Sequence, residues 1–114
     1  MEIDVRTQEQ VKIIKLRGKL SLGPALDRTN ETLKDLLDAG ECRLLLDMAE
    51  VPMIDSSGIG VLVRHLTAAK QKGGSLKLLS PSKFAIQTLK LVRVLSLFEV
   101  LEDQDLAVKS FQQI

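Results

Sequence analysis

The chain has 114 residues, 45% hydrophobic and 27% charged, which suits one soluble domain with a single core and excludes a disordered chain. Nothing in its net charge of +1 suggests polyanion binding. With three Phe, no Trp and no Tyr there is little on which bases could stack, so no nucleic-acid partner is expected and the core must come from Leu, Val, Ile and Ala.

Met1-Glu2-Ile3-Asp4-Val5-Arg6 lacks the basic-then-apolar pattern of a signal peptide, and no apolar run is long enough to span a membrane. A cytoplasmic protein without direct membrane insertion is expected, one domain over residues 1–114. Ile3 and Val5 mark a short strand, turned through Gln8-Glu9-Gln10 into a second strand over 11–17, an antiparallel pair at the sheet edge. Gly18 ends it, and Lys19-Leu20-Ser21-Leu22-Gly23 connects to a helix with Pro24 in its first turn. Leu26, Leu33, Leu36 and Leu37 recur near helical period, and Gly40 is the stop.

Cys42 stands alone, so no internal disulfide or thiolate metal cluster is expected; it reads as a small residue opening the next strand. That strand, 43–48, carries three consecutive leucines, a pattern suited to a strand covered on both faces. The next helix places Ile59, Leu62, Val63 and Leu66 at i, i+3, i+4 and i+7 and stops at Gly73-Gly74. Ser75–Leu79 is a strand. Ser80 reads as an N-cap with Pro81 at the first helical position, and Phe84, Thr88, Leu91 and Leu95 as the apolar side of the third helix. A last strand is expected over 97–101, then a short helix capped by Asp103 and carrying Leu106, Ala107 and Phe111. The order predicts an α/β fold: a mixed, mostly parallel sheet with an antiparallel edge pair, flanked by about four helices.

Polar chemistry concentrates in Asp55-Ser56-Ser57-Gly58, where a strand gives way to a helix. His65 is the single histidine and has no cysteine or second histidine beside it, so an exposed or rim position is expected rather than a metal ligand. A Ser–His–Asp relay would need His65, roughly 12 Å along the helix from Ser57 at 1.5 Å per residue, which removes a direct triad. Gly58 and Gly60 lack the third glycine of a dinucleotide loop and the Gly-Lys-Ser/Thr of a P-loop. No cofactor is expected. What remains is a hydroxyl at a helix N-terminus, where a phosphate is well tolerated because backbone N–H groups and the helix dipole favour negative charge. The residues alone favour simple capping of the helix by Asp55, Ser56 and Ser57, since capping serines far outnumber phosphorylated ones.

The run 46–62, Leu-Asp-Met-Ala-Glu-Val-Pro-Met-Ile-Asp-Ser-Ser-Gly-Ile-Gly-Val-Leu, closely resembles the STAS domain of bacterial anti-sigma-factor antagonists. Arg17-Gly18-Lys19-Leu20, Gly73-Gly74-Ser75-Leu76-Lys77-Leu78, Ser80-Pro81 and Ser96-Leu97-Phe98-Glu99-Val100-Leu101 extend the resemblance over essentially the whole chain. It implies a regulatory binding module and not an enzyme. An anti-sigma factor, itself a serine kinase of the histidine-kinase-like ATPase type, would phosphorylate Ser56. The unphosphorylated form would bind that kinase and release the sigma factor, so regulating transcription, and a serine phosphatase would reset it. Partner contact is implied at Ser21, Asp55, Ser56, Ser57, Gly58 and Ile59, with Ser57 as the helix cap and Gly58 leaving room for the partner backbone.

Two departures stand out. Ser21 replaces an acidic residue that many members carry, and Ser96 replaces a glycine that closes their third helix, so either the helix ends differently or Ser96 is strained. The alternative is constitutive docking, as the STAS subunit of a lipid-transport ABC complex or of a stress-sensing assembly. The oligomeric state is left open.

Overall fold

The computed structural model describes residues 2–113; the two ends of the expected domain, residues 1 and 114, lie outside the described residues. A five-stranded sheet runs in the order β1 (Glu2–Gln8), β2 (Val11–Arg17), β3 (Arg43–Glu50), β4 (Ser75–Leu79), β5 (Val100–Leu101). β1 is antiparallel to β2 and every other neighbour is parallel, as the element order predicted. The β1–β2 turn places Glu9 and Gln10 at φ of 49° and 69°, the two left-handed positions of a tight hairpin, without the glycine or asparagine that usually takes them.

Three helices, α1 (Pro24–Asp38), α2 (Ser56–Gln71) and α3 (Lys83–Leu91), cover one face of the sheet. Ile14, Leu16, Leu44, Leu46, Met48, Leu76 and Leu78 meet them in the main core. The other face is narrower. There Val11, Ile13, Leu45 and Leu79 pack only against α4 (Gln104–Ser110) and the 3-10 turn that follows it, through Ala107, Val108 and Phe111. The three leucines of β3 thus serve two cores, Leu44 and Leu46 on one side and Leu45 on the other. Pro24 opens α1, and Gly40 and Gly73 close α1 and α2 at φ of 88° and 87°. Cys42 lies just before β3.

The third helix departs from expectation at both ends and on its face. Ser80 does not cap it. It sits at φ 51° with its N–H bonded to the Leu101 carbonyl at 2.8 Å, which continues the β4–β5 pairing and leaves Pro81 in the turn. Ser82 is the cap instead, its hydroxyl accepting from the Ala85 N–H at 3.1 Å. The helix ends at Leu91. Arg93 takes the left-handed position (φ 61°), donating to the Lys90 carbonyl while Val94 donates to Leu89. That closure leaves Ser96 unstrained inside a 3-10 turn, Leu95–Leu97, which also shortens the last strand to Val100–Leu101.

The buried residues of α3 are Ala85 and Leu89, whereas Phe84 and Leu91 face water. In α4, Ala107 is buried as expected and Leu106 is exposed.

Candidate functional site

Parallel strands release their connecting loops at one edge of the sheet, and here the loops after β2 and β3 are stitched together. Gly18 N–H donates to the Glu50 carbonyl at 3.1 Å, Leu20 N–H to Met53 at 3.0 Å, and Asp55 N–H back to Leu20 at 3.2 Å. Leu20 and Ile54 form an isolated parallel bridge and both are buried, so an apolar pin holds the two loops in register.

Asp55 completes the junction with both carboxylate oxygens. One accepts from Gly58 N–H at 2.9 Å, and the other from Leu22 N–H at 3.0 Å. At φ −104° and ψ −178°, Asp55 is the extended N-cap of α2. The cap is therefore Asp55 and not Ser57. Ser57 already lies inside the first turn, two residues after the chain has left its extended conformation, so its hydroxyl is not the group that closes the helix end. Ser56 is the first helical residue and is exposed; Ser57 is half-buried.

Gly58 and Ile59 are buried. A Cβ on Gly58 would overlap the Leu20 carbonyl oxygen and lie 2.9 Å from Ile54 Cγ1. The glycine is thus required by the chain's own loop after β2. Ser21 sits half-buried between the two residues that anchor its loop, Leu20 and Leu22. Composition gave no hint of Leu22, which is 79% exposed while its N–H is bound to Asp55. An apolar residue between Ser21 and the Gly23-Pro24 helix start was its only trace in the sequence.

The Asp55 carboxyl is held below the ordinary aspartate range, first by the Gly58 N–H and then by the Leu22 N–H, with partial burial opposing them. A lowered value in the fold means that the native state binds fewer protons. The contribution is fully present above the unfolded value and is lost as pH falls through the folded one. Asp55→Ala is expected to lose about 1 kcal/mol at neutral pH from the missing cap. Urea unfolding of both proteins should show that gap closing in acid; a gap constant with pH would remove the carboxylate charge from the account.

His65 is buried, at 7% exposure, and not on the rim as its polar neighbours implied. Its Nδ1 lies 2.8 Å from the Val61 carbonyl, an acceptor, so Nδ1 carries the proton. Burial holds its pKa below the ordinary histidine value, with the Val61 bond opposing and Arg64 adding to the effect. It is a core residue of α2, far along the helix from Ser56.

The family model of the STAS domain matches residues 2–107. The chain belongs to the STAS domain family. Solved structures agree with the fold. An anti-sigma-factor antagonist STAS domain protein from Planctomyces limnophilus superimposes with a TM-score of 0.83 at 20% identity, covering 96% of this chain and 97% of that one. The anti-sigma factor antagonist SpoIIAA in its unphosphorylated form gives 0.84 at 16% identity, over 99% and 98%. The phosphorylated form of the same Bacillus protein gives 0.76 at 16%, over 96% and 98%. A sulfate transporter family protein from Wolinella succinogenes gives 0.74 at 21%, over 95% and 89%. In this STAS domain no helix among the described residues is long and apolar enough to cross a membrane.

Proposed function

We propose that this STAS domain is a cytoplasmic anti-sigma-factor antagonist, a binding module and not an enzyme, switched by phosphorylation of Ser56. One observation carries the reading: Ser56 is an exposed hydroxyl on the first turn of a helix whose entry is clamped by Asp55. A phosphate there adds about −1.5 to −2 charge to a rigid surface. The helix N-terminus tolerates it, while the neighbouring Asp55 carboxylate makes the local field strongly negative. The fold survives and the docking surface becomes strongly negative, which is what a reversible block of a partner requires.

In this reading the partner is an anti-sigma factor of the histidine-kinase-like ATPase type, and a serine phosphatase restores binding. The contact surface is the loop end formed by Ser21, Asp55, Ser56 and Ser57. Gly58 and Ile59 support it from below, and the exposed Leu22 adds an apolar contact at its rim. SpoIIAA, which shares this fold, has a phosphorylated form, and that supports the choice of a phosphorylation switch.

With the cognate kinase and ATP, the wild type is expected to gain one phosphate by intact mass and Ser56→Ala none. Ser56→Asp should bind the kinase at least tenfold more weakly, about 1.4 kcal/mol, while Ser56→Ala binds as the wild type does. Equal labelling of wild type and Ser56→Ala would sink the proposal. The likeness to a transporter-family protein favours a second reading, constitutive docking to a transport complex. Co-purification with a transporter ATPase, unaffected by Ser56→Asp, would establish it.

A further inference from the structure

α3 buries Ala85 and Leu89 in the core and turns Phe84, 55% exposed, and Leu91, 82% exposed, outward. Val92 and Leu97, just beyond the helix, are 50% and 48% exposed. At about 100° per residue, Phe84, Thr88 and Leu91 fall within about 60° of one another, one continuous stripe. Single exposed leucines are ordinary; a stripe along a helix that has already buried its other side is not.

The charge around the stripe has one sign. Between residues 80 and 98 there are three cations, Lys83, Lys90 and Arg93, and no carboxylate. None of the three enters an ion pair among the described residues. Lys90 favours the C-terminal end of the helix dipole, but Lys83 opens the helix, where a cation is unfavourable and an acidic residue would be the stabilising choice. Local stability does not account for Lys83.

We propose that the outward face of α3 is a docking site for an acidic amphipathic helix of a partner protein. Leucines of that helix would cover Phe84, Leu91 and Leu97, and its carboxylates would pair with Lys83, Lys90 and Arg93. Charge selects this occupant. A second copy packed α3 against α3 would oppose three cations with three more. An anionic membrane is held by clusters of about four to eight cations on longer helices, whereas the nine residues of α3 carry two and Arg93 follows just beyond them. The site is independent of Ser56, so a partner held here remains bound when the switch closes.

The probe is a synthetic amphipathic helix of about 14 residues, roughly four turns, with leucines on one face and glutamates on the other. Titrated into isotope-labelled protein, it is expected to shift the amide signals of residues 83–97. Leu91→Ser should weaken it at least tenfold, and so should the combined Lys83→Glu, Lys90→Glu and Arg93→Glu. Ser56→Asp should leave it unchanged, which separates this site from the phosphorylation switch. Leu91 is largely exposed, and an unchanged Tm and circular dichroism spectrum of Leu91→Ser checks its fold. Each of four results overturns the proposal: no shifts on α3, equal binding of a lysine-for-glutamate peptide, tighter binding to phosphatidylglycerol vesicles than to the peptide, or self-association abolished by Leu91→Ser.

Discussion

Gly58→Ala is expected to destabilise the fold by about 3 kcal/mol, the range of substitutions that force backbone apart. For a domain of this size that lowers Tm on the order of 10 °C. The added methyl would overlap the Leu20 carbonyl, the same oxygen that accepts the Asp55 N–H at 3.2 Å. Relief requires the β2–α1 loop to move off the start of α2, which breaks the register of Leu20 on Ile54 and releases Leu22 from Asp55. The effect therefore reaches partner binding through geometry, with Ser56 itself intact. Gly60→Ala is the control. Its Cβ would meet only the far end of the Arg64 side chain at 3.3 Å, inside a helix where alanine is preferred by about 1 kcal/mol. Thermal denaturation followed by circular dichroism should show Tm falling in the first variant and holding or rising in the second. Equal behaviour of the two would disprove the close-approach account.

Lys77→Ala should also cost about 3 kcal/mol, and Lys77→Met less than about 1 kcal/mol. Lys77 is buried on β4, in the second core beneath the C-terminal helix. Its ammonium donates to Ser110 Oγ and pairs with Glu99 Oε2, each at 2.8 Å, and lies 4.5 Å from the centre of the Phe111 ring. Glu99 is half exposed, so it rehydrates when the lysine is removed. Most of the loss in the alanine variant then comes from the emptied space between β4 and Phe111. Methionine fills that space with an unbranched chain of similar reach. Urea unfolding distinguishes the two outcomes. If methionine proved as damaging as alanine, the ammonium's bonds to Ser110 and Glu99, rather than the packed stem, would be what stabilises this side of the sheet.

Leu44, Leu45 and Leu46 announced a strand covered twice, and the structure has both covers, three helices on one side and α4 on the other. Pro24, Gly40 and Gly73 marked helix limits because their backbone preferences are intrinsic and act wherever the residue stands. The third helix was not legible in the same way. It is apolar on two sides, so the spacing of Phe84, Thr88, Leu91 and Leu95 is as regular as that of a core face, yet Ala85 and Leu89 are the residues that fit under it. His65 misled for the opposite reason: a polar ring is buried because the Val61 carbonyl, one turn back, satisfies it.

The candidate site divides along the same line. That a carboxylate and two hydroxyls stand where a strand meets a helix is a property of residues 55–57 and their flanking periodicities, and it could be read directly. Which of them caps the helix and which faces water depends on where the chain stops being extended. That point is set from outside the segment, by Leu20 pinned on Ile54 and by the Leu22 N–H on the Asp55 carboxylate, 33 residues away in the chain. Local preferences name several residues fit to cap; the long-range hydrogen bonds choose Asp55 and leave Ser56 exposed to solvent.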